Sequence, residues 1–442
     1  MLTLMYVGSD EQINSFTHTY PFAKSVDADA NGELVCVTPK IAYLNTKAIA
    51  PRKVEIHGSA SLNVTVSDIE KYSVISSNDS DGVYSKTEEV SSCIPIGVVT
   101  KSTFIEDEIT IPQNKPTIGK ILRYSARPVI TECKNVSGKT VVKGDVDIEL
   151  LYCPNDTKKP ILLTERRGFS QIVDSLSNRE ECCFVSKVKT DLFEIRPKTS
   201  LDGEVRTVNF EIKLTIELNC YENATQTVIT DAFTTKYQAD IKRCELKTES
   251  IADEIKENFV CKKSFDFSGG LLADIYDTWC DAVVEHTAFD EDEMMISGVI
   301  NVHILGVDND GQPVYFERSF DYEYKNVLNV LCDEYNCCPE VSVVAINCSI
   351  NADGEIDISV ELLVNSIIFA VKPLNVVTSI NLDKNSMLHQ DTQAAVVLYF
   401  AENERVWDVA QKYKTSPESV CKCNNLNDFD DICNRMLIVP KV

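Results

Sequence analysis

The sequence has few of the features that mark membrane, secreted or nucleic-acid-binding proteins. Its longest apolar runs, such as Ser366–Val371, have the length of a strand and fall short of the ~18 residues that a membrane helix needs. The first residues, Met1–Tyr6, contain no basic segment and no long apolar one, so we expect no secretory signal. The formal net charge of −25 leaves no basic surface for phosphate groups. We therefore expect a soluble protein made in the cytoplasm, with no nucleic-acid partner and no membrane insertion.

Motifs that carry catalysis or hold a cofactor are also missing. There is no Gly-rich phosphate loop, no Gly-x-Ser-x-Gly elbow and no His-Glu-x-x-His, and the five histidines are scattered. The 17 cysteines include no Cys-x-x-Cys pair, so they lack the spacing of a zinc site and are expected to be free thiols. Asp290–Glu293 lacks the ligand spacing of a calcium loop and is expected to be a solvated connection between strands. We expect no enzyme, no cofactor and no metal.

What the sequence does have is alternation of apolar and polar residues, which is typical of half-buried strands. Two alternating runs, Val142–Leu150 and Ile296–Ile304, match around a shared glycine roughly 150 residues apart. The turns Asp202-Gly203-Glu204 and Asp353-Gly354-Glu355 repeat at a similar offset. The pattern predicts a duplicated β module, with copies over residues 96–240 and 241–388.

The N-terminal stretch predicts a partial third module over residues 1–95. Ile56–Val64 alternates in the same way, and Asp81–Lys86 resembles the later segment Asp231–Lys236. Helical signal is sparse, and we expect one or two helical turns at Lys115–Leu122 and at Asp274–Trp279. The body is therefore predicted to be mainly β, with sandwich-like or barrel-like modules.

The last part of the chain, residues 396–442, has a different pattern. An apolar strand at Val396–Phe400 leads into the helical segment Arg405–Tyr413. Ser416 and Pro417 are a good N-cap and first residue for a second helix, and Leu437–Pro440 is a returning strand. This order predicts a small βααβ domain of the α+β class.

Two stretches resemble known families. The first combines Ile111-Pro112, Lys115-Pro116, the strand glycine Gly144 and Leu151-Tyr152. It resembles the SPOCS domain of spore-coat proteins from endospore-forming bacteria. The second copy keeps the strands but has Phe267-Ser-Gly-Gly in place of the opening motif.

The C-terminal domain resembles a LysM domain. Tandem SPOCS domains followed by LysM are the architecture of SipL-type spore-coat morphogenetic proteins. The resemblance implies a non-enzymatic scaffold in the mother cell, recruited to the forespore surface and coat. Its LysM domain would bind the basement-layer morphogenetic ATPase, which is SpoIVA-like, and other coat proteins would be further partners. The implied partner-binding residues are Trp407, Arg405, Glu404, Asn403, Asn425 and Leu426.

One alternative function remains open at this point. LysM domains often bind N-acetylglucosamine polymers through two loops, which here would be residues 402–405 and 425–428. The usual Gly-Asp-Thr of the first loop is replaced by Asn403-Glu404-Arg405, whose larger side chains would crowd a glycan. The main prediction is therefore protein binding, and the alternative is a cell-wall protein that binds peptidoglycan.

Overall fold

The computed structural model describes residues 2–9, 11–27, 34–67, 71–136, 138–174, 182–266, 272–388, 395–426 and 431–441. The protein is mainly β, as predicted, with two short helices near its C-terminus. No helix among the described residues is long and apolar enough to cross a membrane.

Two antiparallel hairpins form the N-terminal part. The first pairs β1 (Leu2–Val7) with β2 (Ile13–His18), and the second pairs β3 (Leu34–Ala50) with β4 (Lys53–Ser67). The first hairpin packs on the body, because Ile13 is buried in an apolar cluster with residues of the strands that follow.

The first module is a sandwich of two three-stranded sheets. Its strands are β5 (Val83–Thr110), β6 (Lys120–Val136), β7 (Lys139–Cys153), β8 (Ile161–Asp174), β9 (Cys182–Thr199) and β10 (Val205–Thr234). One sheet has the order β5-β10-β9 and the other is the meander β6-β7-β8. The alternating apolar residues of β7, such as Val146 and Ile148, meet those of β10, such as Ile212 and Leu214, in one buried core.

The second module repeats this order of pairings. Its strands are β11 (Tyr237–Phe265), β12 (Leu272–Asp290), β13 (Glu293–Asp308), β14 (Pro313–Val327), β15 (Glu334–Cys337), β16 (Glu340–Ile350) and β17 (Ile356–Met387). The meander β12-β13-β14 faces a sheet in which β17 pairs with β11 on one side and with β15 and β16 on the other. Ile300 and Val302 of β13 meet Val360 and Leu362 of β17 in its core.

The matched glycines of the two alternating runs have the same structural role. Gly144 pairs with Ile130 of β6, and Gly298 pairs with Val284 of β12, each beside a bulge in the neighbouring strand. A Cβ atom at Gly298 would lie 1.9 Å from the Val283 carbonyl oxygen, and one at Gly144 would lie 2.3 Å from the Val129 carbonyl oxygen. Only glycine fits where the bulged backbone approaches so closely.

Equivalent positions of the two modules also meet each other. Arg123 lies opposite Leu151 in the first meander, and Asp277 lies opposite Leu305 in the second. Across the contact, the Arg123 Nε donates to Asp277 Oδ2 at 2.7 Å, and Leu151 and Leu305 share one buried cluster. The modules therefore pack about a pseudo-twofold axis, as subunits of a symmetric dimer do.

Two expectations about local structure are wrong. Residues 274–279 are not helical but belong to β12, where they pair with β13, and residues 115–122 form an extended connection that enters β6. The period of a short apolar run alone does not distinguish a helix from a strand. Here the backbone hydrogen bonds are made by pairing with neighbouring strands.

The segment Asp81–Lys86 lies beside the segment that it resembles rather than in a separate module. Tyr84 pairs with Phe233 across β5 and β10, and Lys236 forms an ion pair with Asp81 at 2.6 Å. The predicted module start at residue 96 therefore falls inside the continuous strand β5. The predicted start of the second module at residue 241 likewise falls inside the continuous strand β11, and the remaining domain boundaries are still predictions.

The C-terminal domain has the βααβ order. It consists of β18 (Val396–Arg405), α1 (Val406–Tyr413), α2 (Pro417–Asn424) and β19 (Asp431–Pro440), and β18 pairs with β19. The Ser416 Oγ accepts a hydrogen bond from the Ser419 amide at 3.2 Å, which is the N-cap that the sequence predicts.

Candidate functional site

The C-terminal domain is built around one face of the β18-β19 ribbon. Both helices pack on that face, and they bury Val406, Val409 and Ala410 of α1 and Val420 of α2. The Asn424 side chain fixes α2 to β19, because it exchanges two hydrogen bonds of 2.7 Å with the Ile438 backbone. The small domain thus presents three surfaces: the helices, the strand ends and the outer face of the ribbon.

Three of the predicted binding residues lie at the end of β18. Asn403, Glu404 and Arg405 pair with residues 433, 432 and 431 of β19, so the expected loop at this position is wrong. The backbone here is held in the strand ladder and does not form a cradle around a ligand. Glu404 accepts a hydrogen bond from the Tyr399 hydroxyl at 2.7 Å. The Arg405 amide donates to Asp408 Oδ2 at 2.9 Å, which caps α1.

Two further predicted residues follow α2. Asn425 has a φ of 51°, in the left-handed region that asparagine tolerates, and this ends the helix. Leu426 is half-buried and packs against the core of the domain. Residues 427–430, which complete the second predicted loop, lie outside the described residues.

Trp407, the remaining predicted residue, lies between the C-terminal domain and the first module. It is only 8% exposed, and its ring meets Phe233 of β10 edge to face at a centroid distance of 4.9 Å. Its Nε1 donates to Asp231 Oδ2 at 2.8 Å. The structure therefore uses this ring inside the chain, where it attaches the domain to the end of β10.

The carboxylate that receives Trp407 is held in its charged form. Burial opposes the charge on Asp231, but hydrogen bonds from Arg243, Trp407 and the Ala232 amide outweigh it and lower the pKa. Arg243 Nη2 reaches the other carboxylate oxygen at 2.7 Å, and Gln411 Nε2 lies 3.3 Å from the oxygen that Trp407 uses. This polar cluster orients the C-terminal domain on the body.

The outer face of the ribbon was not identified from the sequence. Five apolar side chains lie on it, with exposed fractions from 42% to 70%: Val396, Leu398, Phe400, Met436 and Ile438. We call these five residues the outer strip. Leu398 pairs with Ile438 and Phe400 pairs with Met436, so the strip is continuous across both strands.

A signal for the outer strip was present in the sequence. The run Val396–Ala401 is apolar at every position, whereas a strand with one solvated face alternates. An unbroken apolar strand indicates that both faces are covered, and the helices of this domain cover only one.

A pocket of about 400 Å³ lies on the first module and is lined mostly by carboxylates, among them Glu106, Asp107 and Glu211. Among the described residues, no group of three His, Cys, Asp or Glu side chains is placed to hold a metal ion. Burial raises the pKa of the Cys220 and Cys280 thiols to about 12 in each case, so these two thiols are poor nucleophiles at neutral pH.

Comparison with known proteins identifies the first module. Residues 117–242 match the family model described as SipL, SPOCS domain, and this range runs from just before β6 through β10. No curated protein and no solved structure matches the chain. The match ends within the first residues of β11, and the rest of the second module and the C-terminal domain lie outside it. The first module is therefore similar to the SPOCS domain of SipL, and this match supports a SipL-type protein related to sporulation and the spore coat.

Proposed function

We propose that the chain is a non-enzymatic scaffold of spore-coat assembly whose C-terminal domain binds the SpoIVA-like morphogenetic ATPase. The two β modules would form a rigid acidic body, and the ATPase contact would hold that body at the forespore surface in the mother cell. The SPOCS match supports a coat role, since the SipL family is a non-catalytic coat protein family.

The observation that carries the proposal is the outer strip. Five exposed apolar side chains side by side on a domain of this size are costly in water unless another surface covers them. The strip has no charged group and no hydrogen-bonding side chain, so its chemistry suits a protein surface rather than a sugar polymer. A glycan needs polar partners and close backbone approach, which the paired residues Asn403, Glu404 and Arg405 do not offer.

Under this proposal, the predicted partner-binding residues have two different roles. Asn403 and Arg405 are exposed at the end of the strand that carries Leu398 and Phe400, and they extend the same binding surface. Trp407 contributes indirectly, because it fixes the orientation of the domain on the first module. The centre of the partner contact is thus the outer strip.

The test compares two variants of the full chain for binding to the purified ATPase. Leu398→Glu places a charge at the most exposed position of the strip and should weaken binding roughly a hundredfold, since a charge buried in an apolar contact is unpaired. Lys422→Gln changes the net charge by the same amount on the solvated side of α2 and should bind like the wild type.

Two results would contradict the proposal. Equal ATPase binding by Leu398→Glu and the wild type would remove the strip from the contact. Retention of ATPase binding after deletion of residues 390–442 would assign the role to the β modules. Titration of N-acetylglucosamine oligomers into the full chain tests the cell-wall alternative, which predicts saturable binding that Leu398→Glu leaves unchanged.

A further inference from the structure

The β3-β4 hairpin is long and stands apart from the cores of the protein. Its strands pair from Leu34 and Ser67 at the base to Ala50 and Lys53 at the tip. None of the buried clusters formed by the described residues includes a residue of this hairpin. An isolated two-stranded ribbon is at best marginally stable in water, so a hairpin of this length needs a second surface.

The pairing register divides the hairpin into two unlike faces. Successive side chains of a strand point to opposite faces, and the bulge at Ala42 keeps the apolar residues together on one of them. That face, which we call the apolar face, combines the residues Val35, Val37, Pro39, Ile41, Leu44, Thr46 and Ala48 of β3 with Val54, Ile56, Gly58, Ala60, Leu62, Val64 and Val66 of β4. The opposite face is mostly polar: it carries Lys40, Asn45, Lys47, His57 and Asn63, together with Tyr43.

The β3 half of the apolar face is open to solvent in the single chain, whereas Ile56, Leu62, Val64 and Val66 of β4 are half-buried. Ile41 is 70% exposed, Val35 is 54% and Val37 is 52% exposed, while Leu44 and Val54 are 45% and 40% exposed. In both modules of this chain, a sheet with one apolar face is covered by a second sheet. The hairpin is therefore half of a sandwich whose other half is missing from the chain that the structure describes.

Charge distinguishes the hairpin from the rest of the chain. Residues 34–67 contain Lys40, Lys47, Arg52 and Lys53 against Glu55, which is four cations and one acid, in a chain whose net charge is −25. Two of the cations, Arg52 and Lys53, are at the tip. The acidic body of a second chain would attract this basic tip if the two lay close together.

We propose that the apolar face is a homodimer interface, covered by the same face of a second copy in an antiparallel, twofold arrangement. This arrangement places the basic tip of each hairpin at the base of the other, beside the acidic body of the second copy. The face carries no charge that would be buried unpaired, and Ala48, Gly58 and Ala60 allow the two ribbons to approach closely. This inference is independent of the ATPase contact, because it involves a different part of the chain.

The size of the face is sufficient for a specific contact. Fourteen residues of strand extend ~45 Å, so a two-stranded face buries roughly 500 Å² from each copy. The total of roughly 1,000 Å² lies at the size where specific protein interfaces begin.

The experiment is sedimentation velocity of the full chain over a wide range of concentrations. The wild type should sediment as a dimer in reversible exchange with the monomer. Ile41→Glu adds a charge to the apolar face of both copies and should raise the dissociation constant roughly a hundredfold or more. Tyr43→Glu is the matched control, because it adds the same charge to the same strand on the opposite face and should leave the dimer intact.

A second measurement locates the contact without relying on a destabilising variant. A photo-cross-linking residue at position 37, near the base of the hairpin, should capture residues 46–56 near the tip of a second, isotopically distinct copy, and mass spectrometry identifies the joined peptides. A wild type that stays monomeric at every concentration would overturn the proposal, as would cross-links confined to one chain. Equal dissociation by Ile41→Glu and Tyr43→Glu would also overturn it, because the contact would then not depend on the apolar face.

Discussion

Replacing Arg123 by alanine tests how the two modules are held together. The guanidinium of Arg123 makes two hydrogen bonds to the Asp277 carboxylate, at 2.7 and 3.1 Å, and a third to Glu149 at 3.0 Å. The Asp277 side chain is fully buried and that of Arg123 is 13% exposed, so little water replaces the guanidinium once it is removed. Burial already raises the pKa of Asp277, against the opposing effect of Arg123.

The expected loss of stability follows from the Asp277 charge, which would stay buried without its partner. Removing one member of a buried pair typically costs about 3–5 kcal/mol, far more than the ~0–1 kcal/mol of an exposed ion pair. Glu149 keeps Arg127 at 3.1 Å and the Ser125 hydroxyl at 3.0 Å, so the penalty falls mainly on Asp277. We therefore expect Arg123→Ala to lower the free energy of unfolding by about 3 kcal/mol near pH 7.

The assay is urea unfolding followed by the fluorescence of Trp279, over whose ring the Arg123 guanidinium lies at 4.6 Å. A Trp407→Phe background leaves Trp279 as the single tryptophan, because the chain has two. The double variant Arg123→Met with Asp277→Leu should recover most of the loss, since a buried pair can be replaced by apolar groups at little cost. A loss below ~1 kcal/mol for Arg123→Ala would refute the reasoning, since the pair would then behave like an exposed one.

Three further predictions concern a glycine, the thiols and the attachment of the C-terminal domain. Gly298→Ala should destabilise the second module by several kcal/mol, since the added Cβ atom would lie 1.9 Å from a carbonyl oxygen. Gly168→Ala is the control: the nearest atom to its added Cβ would lie 3.6 Å away, so the melting temperature should be almost unchanged. Cys338 and Cys423 are the exposed thiols of the described residues, and alkylation of the native protein should modify them before the others. A buried thiol that peptide mapping finds equally reactive would contradict this prediction. The lowered pKa of Asp231 stabilises the contact with Trp407 above the unfolded value of about 3.9, and this stabilisation is lost as the pH falls through the lower, folded value. Asp231→Asn should therefore release the C-terminal domain to limited proteolysis at neutral pH, and equal protection of the variant and the wild type would contradict the assignment.

The elements that the sequence predicts best are those with a strong local pattern. The alternating runs around Gly144 and Gly298 predict β strands, and the structure has β7 and β13 there because each strand has one face toward a core. The N-cap of the second C-terminal helix is equally local, and Ser416 lies at the position that its side-chain preference predicts. Periodicity and capping depend on neighbours in sequence, so they can be recognised in one chain.

The features that the sequence did not predict depend on contacts between distant residues. The segment Asp274–Trp279 has an apolar pattern compatible with a helix, and only its pairing with β13 decides for a strand. The contacts of Trp407 with Asp231 and Phe233, about 175 residues earlier, could not be read from the sequence, and its role in partner binding stays a prediction. The apolar run Val396–Ala401 indicates a strand that is apolar on both faces, but only the packing of the helices decides which face stays exposed as the outer strip.

The most direct test of a coat-scaffold role is imaging of the tagged full-length protein in its host through sporulation. The account predicts that the wild type gathers at the forespore surface and that Leu398→Glu stays dispersed in the mother cell, with Lys422→Gln localised like the wild type. A wild-type protein that remains dispersed throughout sporulation, or that accumulates in the cell wall of vegetative cells, would contradict the account.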